Sequence, residues 1–149
     1  MTDEDYMRQA LDQAHRAADA GEVPVGAVIV AGGQIIARAH NLCERLRDFT
    51  AHAEMQAFTA ASEYLGGKFL DQCTLYVTLE PCPMCAGAAY WTRVGRIVYG
   101  ARDDKRGGLS FHGKRREGLL HPKTELVGGV LEAECAELLT TFFRSRRKN

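Results

Sequence analysis

The chain has 149 residues with 19 Lys+Arg and 19 Asp+Glu, so its formal net charge is zero, and its 46% hydrophobic and 26% charged composition is that of an ordinary globular protein with room for one core. No apolar run approaches the length of a membrane span, and the acidic start Met1-Thr2-Asp3-Glu4-Asp5 does not read as a signal peptide. Five cysteines, an odd number with two of them two residues apart, argue against a disulfide framework and for a reducing, cytoplasmic setting.

In chain order, apolar residues at helical spacing predict a helix from Asp3 to Ala20, stopped by Gly21. Val23 to Val30 is β-branched and apolar and reads as a buried strand. Gly32-Gly33 signals a hairpin turn, with Gln34 to His40 returning as a second strand. Asn41 to Phe49 is polar and reads as a loop. His52 to Leu65 reads as a helix capped by Thr50 and ended by Gly66-Gly67. Thr74 to Leu79 is a third strand, Pro83 to Trp91 a helix and Arg96 to Tyr99 a fourth strand. That alternation favours parallel pairing with helical crossovers. Ala101 to Pro122 has no periodic pattern and is rich in glycine and basic residues, which marks it as a functional segment. Thr124 to Val130 reads as a fifth strand and Leu131 to Arg147 as a last helix. The absence of repeats or linkers predicts a single domain over 1–149.

Charge is unevenly placed. Residues 1–92 hold 6 Lys+Arg against 12 Asp+Glu, a net of −6, and residues 93–149 hold 13 against 7, a net of +6. A basic second half is compatible with a nucleic-acid-binding face, or equally with a solvated surface.

The chemistry is concentrated in two short stretches. Cys82 and Cys85 stand two residues apart between and after Pro81 and Pro83, prolines that suit the first turn of a helix. A helix N-terminus lowers thiol pKa, and metal ligation needs the thiolate. Two thiolates do not complete a zinc site, so a third ligand must come from elsewhere. Together, H-A-E in Thr50-Ala51-His52-Ala53-Glu54 followed by P-C-P-M-C resembles the H-x-E…P-C-x-x-C signature of zinc-dependent nucleobase deaminases. The resemblance implies His52 as the third ligand. Three protein ligands leave one zinc position open for water, the mark of a catalytic site. Glu54 then binds no metal and moves protons: from water, to a ring nitrogen and to the departing amine. A structural zinc module would need a fourth ligand. His40, Cys43 and Cys73 are the spare candidates, and none has matching spacing.

The resemblance extends further. Glu22-Val23-Pro24-Val25-Gly26-Ala27-Val28, Leu75 to Cys82, Tyr99 to Asp103, Leu131 to Cys135 and Phe142 to Arg147 are similar to the bacterial tRNA adenosine deaminases. The resemblance implies a cytidine-deaminase-like, three-layer α/β fold with a five-stranded mixed sheet flanked by helices. It implies one zinc per chain, a homodimer, and conversion of the wobble adenosine to inosine in a tRNA anticodon loop. It also implies roles: Asn41 contacting the flipped base, Val25 lining its pocket, Asp103 near the nucleotide backbone and His121 in a loop bordering the anticodon. Phe142 and Arg146 fall in a C-terminal helix that closes on the RNA. Asp48-Phe49-Thr50 departs from the family's usual Asp-Pro-Thr, and Pro83-Met84 and Tyr90-Trp91 resemble the guanine deaminases. The alternatives are therefore a free-base deaminase of the guanine type and a zinc-stabilised binding module without catalysis.

Overall fold

The structure, a computed structural model, describes residues 1–111, 114–115 and 118–147, with backbone alone described at 110–111 and 114–115. Helix α1 (Asp3–Asp19) opens with a capping box. The Thr2 hydroxyl accepts from the Asp5 N–H, and the Asp5 carboxylate accepts from the Thr2 N–H. Strands β1 (Gly26–Ala31) and β2 (Gln34–His40) form the expected hairpin, with positive φ at both Gly32 and Gly33 as a two-residue turn of type I′ requires.

A one-turn helix α2 (Cys43–Leu46) precedes α3 (Ala53–Leu65), which ends on Gly66 in the left-handed conformation. There follow β3 (Cys73–Leu79), α4 (Pro83–Thr92), β4 (Arg96–Ala101), the two-residue strands β5 (Ser110–Phe111) and β6 (Lys114–Arg115), β7 (Glu125–Val127) and α5 (Glu132–Arg147).

The central sheet has five strands in the order β2-β1-β3-β4-β7. Strand β1 is antiparallel to both neighbours, whereas β3, β4 and β7 run parallel, so the sheet is mixed. The parallel pairing expected from the strand–helix alternation is thus realised across α4 and beyond it, and the hairpin supplies the antiparallel half. Alternate residues of each strand serve opposite faces. Ala27, Ile29, Leu75, Val77 and Ile97 meet Ala53, Ala57, Phe58 and Ala61 of α3 and Ala89 of α4. Val28, Val30, Tyr76 and Val98 meet Tyr6, Met7, Ala10 and Leu11 of α1 and Cys135 of α5. The result is a helix–sheet–helix sandwich of the cytidine-deaminase type. Burial of side chains such as Ile29, Leu75 and Ile97, each fully enclosed, contributes about 2 kcal/mol apiece.

Besides the last strand, which ends at Val127 and not Val130, four features differ from the sequence expectation. Residues 23–25 lie outside β1: the Val25 N–H turns back to the Val23 carbonyl, and Pro24 has no N–H to give a ladder. The strand starts at Gly26, where a Cβ would collide with the Ala10 carbonyl and the Ala14 N–H of α1. The 41–49 loop contains α2 because the buried Glu22 carboxylate accepts from the Glu44 and Arg45 N–H groups, both at 2.9 Å. Thr50 does not cap α3, since its hydroxyl is engaged by Asp48 at 2.7 Å. The 101–122 segment holds the β5–β6 pair and is not devoid of structure.

Candidate active site

Two helix N-termini meet at the carboxyl end of β3. His52 occupies the N-cap position of α3 and Cys82 that of α4, both with extended backbone (φ −72°, ψ 153° and φ −70°, ψ 172°). Neither side chain caps its own helix, so both are free to face the space between. Cys85 stands one turn into α4 and is fully buried. Cys82 Sγ and Cys85 Sγ each lie 3.5 Å from His52 Nδ1.

This donor set fits a metal ion. The three donor atoms lie within 4.8 Å of one another. A tetrahedral zinc ion with its usual bond lengths would set nitrogen and sulfur about 3.5 Å apart. Two sulfurs and an imidazole are also the soft and borderline ligands zinc accepts. Among the described residues, no other group of three such side chains converges in this way.

Charge in the cluster is tightly linked. Hydrogen bonds from Cys85 and then His52 hold the Cys82 thiol down to about 4. The same Cys85 contact, with burial, pushes the Cys85 thiol up, so the pair shares one proton. The Cys82 contact raises His52 against the opposing effect of burial. Glu54, only 4% exposed, stands in the first turn of α3 beside the triad, and burial lifts its carboxyl to about 7. A carboxyl poised there can both accept and deliver a proton near neutral pH.

The remaining sequence candidates scatter around this centre. The Asn41 side-chain oxygen accepts from the Ala53 N–H at 2.9 Å, so Asn41 braces the turn that carries His52 and Glu54. Val25 is buried in the α3-side core. Asp103 Oδ1 accepts from the Lys105 and Arg106 N–H groups at 3.1 and 2.9 Å and shapes a turn. That turn brings Lys105, Arg106 and Gly107 to an open cavity of about 340 Å³ shared with Cys82 and Pro83. His121 Nδ1 accepts from the Lys123 N–H, and its ring lies 5.9 Å from that of Tyr90. Phe142 and Arg146 contact each other, with the guanidinium 4.9 Å from the ring centroid, and Arg146 donates to the Gly21 carbonyl at 3.1 Å. Arg116 and Lys148 lie outside the described residues, as do the side chains of Lys114 and Arg115.

Three polar residues that the sequence does not single out, the buried Glu22 and Glu80 and the half-buried Gln56, tie the surroundings of the site together. Glu22 holds α2, Gln56 ties α3 to the His40 and Ala51 carbonyls at 2.8 and 3.1 Å, and Glu80 binds the loop after β4. The one local signal was Glu80 itself, a charged residue closing an apolar strand.

Fold, donor set and buried carboxylate together define a nucleobase-deaminase domain, and residues 1–147 match the model of the MafB19-like deaminase family. The tRNA-specific adenosine deaminase of Bacillus subtilis is 50% identical over 148 residues, covering 98% of this chain and 91% of that protein. The chain belongs to the family of tRNA-specific adenosine deaminases. A solved structure from work on A-to-I editing by tRNA:A34 deaminases at the wobble position superposes with a TM-score of 0.83 at 40% identity, covering 91% of this chain and 99% of that one. A guanine deaminase from Nitrosomonas europaea superposes with a TM-score of 0.81 at 26% identity, covering 93% and 83%.

Proposed function

We propose that residues 1–149 form one zinc-dependent deaminase domain that converts the wobble adenosine of a tRNA anticodon loop to inosine. The observation that carries this reading is the His52–Cys82–Cys85 triad beside the buried carboxyl of Glu54, in a chain half identical to a tRNA-specific adenosine deaminase. The balance is adenosine plus water to inosine plus ammonia. Zinc held by the three donors would supply the acidity that makes water a nucleophile at neutral pH. Glu54 takes a proton from the attacking water and passes it to N1 of the ring, then takes the proton of the new C6 hydroxyl as the carbonyl forms and delivers it to the leaving N6 amine. Its burial keeps its pKa near the working pH and excludes bulk water that would compete for these protons.

Asn41 and Val25 contact the flipped base in this scheme. Asp103, His121, Phe142 and Arg146 border the RNA backbone, with Lys105 and Arg106 at the rim of the site and Arg144 and Arg147 at the basic end of α5. The protein works as a homodimer, for which Trp91, 77% exposed on α4, is a suitable contact. A cytoplasmic setting matches this substrate, and no described helix is long and apolar enough to cross a membrane.

Incubation with an anticodon stem-loop bearing adenosine at the wobble position, followed by nucleoside analysis, tests the proposal. Inosine is expected, with free guanine and cytosine unchanged in parallel reactions. Xanthine from guanine, with the stem-loop untouched, would support the second reading, a free-base deaminase. That reading is favoured by the likeness to guanine deaminase and by Pro83-Met84 and Tyr90-Trp91.

A further inference from the structure

A buried carboxylate outside the donor triad stands two residues before one of its cysteines. Glu80, 2% exposed, directly follows β3 and stands two residues before Cys82. Oε1 accepts from the Asp103 N–H at 3.3 Å and Oε2 from the Leu109 N–H at 3.2 Å. The two oxygens of one side chain therefore hold both ends of a seven-residue loop. Main-chain bonds complete the attachment: Gly107 N–H to the Asp103 carbonyl at 2.9 Å and Gly108 N–H to the Pro81 carbonyl at 2.6 Å. There is no slack. A Cβ at Gly107 would occupy the space of the Glu80 carboxylate, and one at Gly108 would lie 2.7 Å from the Cys82 carbonyl. Lys105 and Arg106 form the exposed crest of this loop and line an open cavity together with Cys82 and Pro83.

We propose that Glu80 is a positioning residue for substrate binding: by gripping the 103–109 loop against the start of α4 it fixes Lys105 and Arg106 at the entrance to the metal site, where they meet backbone phosphates of the incoming RNA. This inference rests on the reading of the substrate as RNA. A buried carboxylate suits the task because it offers two acceptors and no donor, matching two N–H groups that face it. An amide would set its NH2 against one of them.

The test is deamination kinetics of the anticodon stem-loop over a range of salt for wild type, Glu80→Gln, Lys105→Ala/Arg106→Ala and the combination of all three. Gly107→Ala serves as a second, independent way to displace the grip. Glu80→Gln is expected to raise KM about five- to tenfold and to flatten the dependence of log KM on log salt by about one unit, as losing one to two phosphate contacts would. It should keep kcat and metal content near the wild-type values. In the Lys105→Ala/Arg106→Ala background it should add less than about twofold, because the residues it places are gone. Faster amide exchange at Asp103 and Leu109 in Glu80→Gln would locate the change in the loop. An unchanged KM and salt slope in Glu80→Gln, or a full additional loss in the combined variant, would overturn the inference while an active wild type keeps the RNA reading. A wild type inactive on the stem-loop overturns that reading, and this inference with it.

Discussion

The two helix N-termini that form the site present their ligands in the same way but are secured differently. At α4 the arrangement is local: Pro83 at the first helical position has no N–H to satisfy and holds φ near the helical value. At α3 the corresponding Ala53 N–H needs a partner, and it finds one in Asn41, twelve residues earlier, at the end of β2. The α4 half of the site is thus written into four consecutive residues, whereas the α3 half depends on the sheet being formed. A metal ion held by the triad would join a half that is nearly self-sufficient to one that is not.

The largest expected effect removes what joins the halves. His52→Ala, Cys82→Ala and Cys85→Ala should each lose both metal and turnover, because three donors leave no redundancy. Elemental analysis of the purified variants checks this, and a stable Cys85→Ala protein with full metal occupancy would contradict it. Glu54→Gln should keep metal and fold while turnover drops by about 10² to 10⁴; retention of most of the wild-type rate would call for another base.

The comparison itself is tested at the two caps. Asn41→Ala leaves a buried N–H without its acceptor and should destabilise the protein by about 1–2 kcal/mol, weakening metal retention as well. Pro83→Ala should cost less, about 0.4–1 kcal/mol, since what it loses is the fixed φ of a proline at the first helical position. Urea unfolding of the two variants side by side decides the matter; equal losses would show that the two N-termini are secured alike. The smallest effect serves as a control far from both. The Arg96 guanidinium beside Asp3, at 2.7 Å, holds its carboxyl below the ordinary 3.8. The stabilisation is therefore complete above about pH 3.8 and lost as pH falls through the lower folded-state value. The stability gap between wild type and Asp3→Asn should narrow in acid, with no change in metal content at neutral pH.

The same contrast explains what could be read from the residues alone. The α4 half was legible in full, because the prolines and the two-residue cysteine spacing are local facts. The five strands were legible from their apolar runs, except that β1 starts late, where α1 packs on Gly26, and the last strand ends early, at Val127 and not Val130. Helix α2 and the cap on α3 were not legible, because Glu22 and Asn41 reach them from elsewhere in the chain. The 103–109 loop was read as patternless for the same reason. Its order comes from Glu80, which in sequence looks like a strand end. Polar side chains that act at a distance leave no periodic signal.

The hairpin turn at Gly32-Gly33 has a practical corollary. Because β1 runs against β3, Ala31 pairs with Cys73, at the opposite end of β3 from Leu79 and the cysteines that follow it. Seven residues of strand place that turn about 20 Å from the catalytic end. The space around both glycines is open, but their positive φ strains any residue with a Cβ, so the attachment point is the exposed Gln34 beside them, and the Tyr6 hydroxyl anchors the turn through the Gly33 carbonyl at 3.0 Å. A fluorophore, affinity handle or small guest domain attached there would report on or tether the enzyme from the side facing away from its substrate.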